Sequence, residues 1–91
     1  MANNYNSATI TTSATRIVSL KNTRRGTLIF NNSSQTVYLG MDNLVTTSNG
    51  LPLVSNATFM SSGYLDIWRG DVWAIVAATT SDVRFWDWEE V

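Results

Sequence analysis

Seven carboxylates, with no histidine and no cysteine, set the limits of what this 91-residue chain can do chemically. Asp66 and Asp71 flank a turn, and Asp87, Glu89 and Glu90 crowd the C-terminal end. Residues of this type could serve glycoside hydrolysis as a carboxylate pair or bind Ca²⁺ through oxygen ligands. The spacing fits neither use: no EF-hand-like loop is present, and a chain this short can hardly build a sugar cleft. The commonest general base, the best nucleophile and the usual zinc ligands are missing with imidazole and thiolate. The five glycines never assemble into a phosphate-cradling pattern. No catalytic, cofactor-binding or metal residue is assigned, and the chain is expected not to be an enzyme.

The remaining side chains able to act at a surface are aromatic. All four tryptophans lie between Tyr64 and Trp88. Their neighbours are rich in β-branched residues, which favour strands, so three strands joined by short turns are expected here: Tyr64 to Trp68, Val72 to Ala78 and Val83 to Trp88. The middle run has no polar residue, so both its faces should be covered, with Trp73 in the core. In the outer two, alternation turns Leu65, Ile67, Val83 and Phe85 inward, and Tyr64, Asp66, Trp68, Arg84, Trp86 and Trp88 outward. The same register turns Asp87 inward, so the last strand is expected to end or bulge there. Outward aromatics either stack on sugar rings or anchor a protein interface. The interface reading is preferred, because a small domain without disulfides or metals needs partner surface to be stable. The candidate interface residues are Tyr64, Trp68, Arg84, Trp86 and Trp88, joined by Tyr5 from the N-terminal segment.

The elements that must hold these residues are read from the rest of the chain. Residues 1–13 are Asn-, Ser- and Thr-rich, with Tyr5 and Ile10 as the only anchors, and are set apart as a flexible arm that a neighbouring subunit could order. A β-sandwich domain is assigned to 14–91. Ala14 to Leu20 has strand character. Thr27 to Asn31 places Leu28 and Phe30 opposite Ile29, and Gln35 to Gly40 places Val37 and Leu39 opposite Tyr38; the intervening Asn32-Ser33-Ser34 reads as a hairpin turn. Pro52 makes Leu51 to Val54 an edge or bridging segment, and Ala57 to Met60 is a further short strand. No stretch shows helical spacing. The fold class expected is all-β: a small antiparallel β-sandwich, jelly-roll-like, or a barrel of about seven or eight short strands.

Net charge is −1, too small to imply nucleic acid or an anionic membrane as partner. Residues 1–46 carry Arg16, Lys21, Arg24 and Arg25 against Asp42, which is +3; residues 47–91 carry Arg69 and Arg84 against six carboxylates, which is −4. Two copies could meet basic end to acidic end, but scattered surface charge that sets solubility is the preferred reading. The basic pair Arg24-Arg25 lies apart from the aromatics, unlike a single-strand nucleic-acid binder. The first residues lack the basic start and apolar core of a signal peptide, and the longest apolar run falls short of the roughly 20 residues of a transmembrane helix. Synthesis in the cytosol, no membrane and a homo-oligomer are expected.

Four segments carry a more specific likeness. Val37-Tyr38-Leu39-Gly40, the run Val45 to Leu53, Gly70-Asp71-Val72-Trp73-Ala74-Ile75, and Asp82-Val83-Arg84 with its aromatic, acidic ending resemble, in this order, a small β-sandwich module of tailed-bacteriophage virion proteins. The resemblance covers Arg16 to Glu90 and departs at Val54-Ser55-Asn56, where a Pro-Gly-like turn stands in the module, and in the extra tryptophans. It implies a structural subunit of a phage particle, a capsid decoration or cement protein before a head-fibre or tail role. Its partners would be the major capsid or another virion protein, its location the virion, and no cofactor is implied. A carbohydrate-binding module with Trp platforms is the competing class, with a glycan as partner.

Overall fold

The computed structural model describes residues 3–62 and 68–89. Among them lie eight strands: β1 (Asn3–Ile10), β2 (Thr15–Val18), β3 (Arg24–Asn31), β4 (Val37–Gly40), β5 (Leu51–Leu53), β6 (Thr58–Ser62), β7 (Val72–Ile75) and β8 (Ser81–Glu89). Alternation builds most of them. In β8 the residues Ser81, Val83, Phe85 and Asp87 are buried, while Arg84 and Trp86 between them are exposed.

Pairing is nested: β1 with β8, β2 with β7, β3 with β6 and β4 with β5, all antiparallel. The first four strands and the last four thus form one long antiparallel ribbon. Rolling the ribbon up brings β3 against β8 and β4 against β7, giving a first sheet β1-β8-β3-β6 and a second sheet β2-β7-β4-β5. This is the jelly-roll arrangement of a β-sandwich, and the expected fold class holds.

The core lies between the sheets. Ile10, Ile29, Val83 and Phe85 of the first meet Val18, Val37, Leu39, Val72 and Ala74 of the second. Each fully buried aliphatic side chain among them contributes roughly 1.5–3 kcal/mol. The Cα envelope is 16 Å across its thinnest axis, which fits two sheets about 10 Å apart and leaves no third layer.

Several expectations are corrected. Residues 3–10 are not a free arm: they form β1, held along its whole length by β8, with Ala8 and Ile10 packed on the core. The Asn32-Ser33-Ser34 turn joins no hairpin, because β3 and β4 belong to different sheets. Buried Asn31 explains the crossing. Its amide donates to Gln35 O and to Leu53 O, both at 2.8 Å, so a side chain spans the sheets where ladder bonds were expected.

The apolar run Val72 to Ala78 is a strand only to Ile75, and Trp73 and Ile75 are half-buried on the outer face of the second sheet. A two-layer fold cannot cover both faces of any strand. In β2 a bulge between Arg16 and Val18 turns both Ile17 and Val18 inward. Asn56, at φ 63°, supplies the left-handed residue of the turn between β5 and β6. The strand expected at Tyr64 to Trp68 falls, except for Trp68, outside the described residues.

Candidate functional site

The outer face of the first sheet follows from register. Trp86 of β8 stands between Tyr5 of β1 and Leu28 of β3, and Leu28 in turn stands beside Met60 of β6. One apolar row therefore crosses all four strands. Tyr5 is 70 % exposed, Met60 60 % and Trp86 52 %. The Tyr5 and Trp86 rings meet edge to face, with centroids 5.6 Å apart and planes at 71°, an arrangement that aromatic pairs prefer.

The rows on either side differ. Phe30 pairs with Arg84, whose Nε lies 3.2 Å from Asp82 Oδ2; the same oxygen accepts from Asn32 Nδ2 at 2.8 Å. On the other flank Trp88 pairs with Gly26, and its ring occupies the space that a side chain at Gly26 would need. Gly26 thus lets the indole lie down on the sheet, and Trp88 is half-buried as a result. Between Leu28, Phe30, Arg84 and Trp86 is a shallow hollow of about 240 Å³, below the range of roughly 300–1,000 Å³ usual for small-molecule sites.

A polar cluster supports this face from behind. Asp87 turns inward as the alternation requires, but β8 neither ends nor bulges there. The bulge is in its partner, between Arg24 and Gly26 of β3. Arg24 is fully buried, and its Nε donates to Asp87 Oδ1 at 2.8 Å. Its Nη1 donates to Gly70 O at 2.9 Å and Trp68 O at 3.3 Å, and its Nη2 to Ser19 O. Lys21 Nζ reaches Asp87 Oδ2 at 3.0 Å, and Thr23 Oγ1 donates to Glu89 Oε2 at 3.1 Å. The basic first half and the acidic second half of the sequence therefore meet within one chain, so their opposite charges need no second copy.

The structure brings Tyr5, Arg84, Trp86 and Trp88 onto one face. Trp68 is not on it. That ring packs over Gly70 with Nε1 donating to Asp71 O at 2.8 Å, beside a cleft of about 260 Å³ walled by Leu39, Leu51, Phe59 and Val72. Tyr64 lies outside the described residues. Sequence reasoning missed Leu28, Phe30 and Met60. The placement of Leu28 and Phe30 opposite Ile29 was the signal, and it needed only Ile29, fully buried, to fix which side is out.

Among the described residues no cluster of carboxylates could hold a metal ion, and no helix is long and apolar enough to cross a membrane. Comparison with protein-family models, curated proteins and solved structures finds no match to this chain. What the face offers chemically is area: exposed rings and a thioether, with the Arg84–Asp82 ion pair at the rim, on a four-stranded sheet.

Proposed function

We propose that this protein is a non-enzymatic structural subunit of a phage particle, most simply a capsid decoration or cement protein, that binds neighbouring virion subunits through the outer face of its first sheet. The observation that carries the reading is the unbroken row Tyr5, Trp86, Leu28 and Met60, largely exposed in the single chain. Contiguous exposed apolar surface marks a contact with another molecule, and aromatic anchors dominate such contacts. The jelly-roll topology is used by viral capsid domains, which is support at the level of fold alone. The four-segment likeness to the phage module supports the same assignment. Repetition over a symmetric shell would convert a weak contact into firm attachment.

Lectins also use this topology, and Trp86 beside the Arg84–Asp82 pair offers a ring with polar groups at its rim. Against a sugar platform, Tyr5 stands across Trp86 and the two make no continuous flat surface. The test is co-sedimentation with purified particles, with Trp86→Ala as the comparison. Binding by the native chain that Trp86→Ala abolishes supports the virion reading; no binding to particles, with a Trp86-dependent signal on a glycan array, replaces it with the carbohydrate one.

A further inference from the structure

A jelly roll leaves four sheet edges open, and in this chain they are not equally protected. Unpaired edge strands invite another chain, and proteins blunt them with shortness, charge, proline or bulges. β5 is three residues long and contains Pro52. β2 is four residues long, carries Arg16 and is broken by a bulge. β6 has five residues. β1 has eight, pairs with β8 without a single register shift, and contains neither proline nor any charged side chain. Among the described residues its outer edge is covered locally, where Asn6 Oδ1 accepts the Ser7 N–H at 2.9 Å.

That bond also shows which way the edge faces. The Ser7 N–H is not spent on β8, so Ser7 and the residues of the same parity, Asn3, Tyr5 and Thr9, aim their backbone groups outward. We propose that β1 is a dimerisation edge, and that its occupant is the β1 of a second copy, antiparallel across a two-fold axis at Asn6. Only that register pairs all four outward residues, Asn3 with the partner's Thr9 and Tyr5 with the partner's Ser7.

Two features select a second copy over an unrelated strand. An isologous contact places β1 against itself, where any charge would meet a like charge or its neighbours; there is none from Asn3 to Thr15. The contact also closes on itself, giving one eight-stranded sheet per pair and no fibre. Edge pairing depends on neither the virion reading nor the aromatic face, although it would set the two Tyr5–Trp86 rows side by side on one broader surface.

Asn6 tests the register, because the two-fold makes it its own partner in a non-hydrogen-bonded pair, with Cα atoms about 4.5 Å apart. This spacing is within reach of a disulfide, and the chain has no cysteine to interfere. Under mild oxidation Asn6→Cys is expected to form a covalent dimer, while Asn4→Cys, whose copies would lie some 13 Å apart along the strands, stays monomeric. In sedimentation equilibrium the native chain should dimerise with concentration. Asn6→Lys and Asn6→Glu should each dimerise about two- to fivefold more weakly, and a 1:1 mixture of the two should recover the dimer. Circular dichroism checks that both variants are folded, which an exposed position favours. Dimerisation of Asn6→Lys equal to that of the native chain overturns the proposal. So does a native chain that stays monomeric while Asn6→Cys and Asn4→Cys cross-link equally. Trp86→Ala should leave the Asn6→Cys cross-link intact, so loss of face-mediated binding and loss of edge pairing read out separately.

Discussion

Strand β8 carries two aspartates five positions apart, each holding an arginine, and they behave as opposites. Asp82 faces solvent, where its contact with Arg84 is made between side chains that are 41 % and 63 % exposed. Asp87 faces the interior, where its partner Arg24 is wholly buried and is bonded as well to backbone oxygens of Trp68, Gly70 and Ser19. An odd spacing on a strand puts the two on opposite faces. Water then decides their worth: an exposed pair gains little, whereas a buried pair is costly to assemble and far more costly to break. The interior pair ties Arg24 of β3 to Asp87 of β8, and the surface pair only decorates the face that carries the exposed rings.

The sharpest way to break this contrast is Asp87→Asn, which strands a buried guanidinium. A loss of about 3–5 kcal/mol is expected in urea unfolding, a large part of the roughly 5–15 kcal/mol that holds a typical domain. Arg24→Met with Asp87→Leu should recover some of this but not all, because three backbone oxygens lose their donor. Next in size is Gly26→Val, which forces the Trp88 ring off the sheet; overpacking of this kind costs about 1–3 kcal/mol, and a red-shifted tryptophan emission should accompany it. Trp86→Ala should change stability by no more than about 1 kcal/mol, the scale of a cross-strand pair, yet abolish binding to particles. Smallest is Arg84→Ala, with an effect of at most about 1 kcal/mol on unfolding. An Arg84→Ala loss comparable to that of Asp87→Asn would erase the distinction between the faces.

Much of β8 was legible in the sequence, because period-two alternation is a local signal: Val83 and Phe85 go in, Arg84 and Trp86 go out. Asp87 was legible as an anomaly, and its resolution was not, since Arg24 lies 63 positions away and reaches it through a bulge. Pairing in a rolled ribbon is non-local, so neither the Asn32-Ser33-Ser34 crossing nor the docking of β1 could be seen from neighbouring residues. β1 was mistaken for an arm because Asn, Ser and Thr are what an edge strand can carry where only Ala8 and Ile10 pack on the core. Trp73 was misjudged for a complementary reason: an apolar run reports that a strand is well covered, while the number of layers above it depends on chain length. Trp68 fell outside the face because Gly70 gives its ring a nearer seat.

The nested order of the strands has a kinetic consequence. Tyr5 and Trp86, which touch in the finished sheet, are separated by nearly the whole chain. Closing so long a loop costs entropy before any contact rewards it, and topologies of this kind fold in milliseconds to seconds rather than microseconds. β4 and β5 can zip first; β1 must wait for β8 to be synthesised and placed. Throughout that interval the uncharged strand has no sheet to belong to, which makes the newborn chain more vulnerable to mispairing than the mature one.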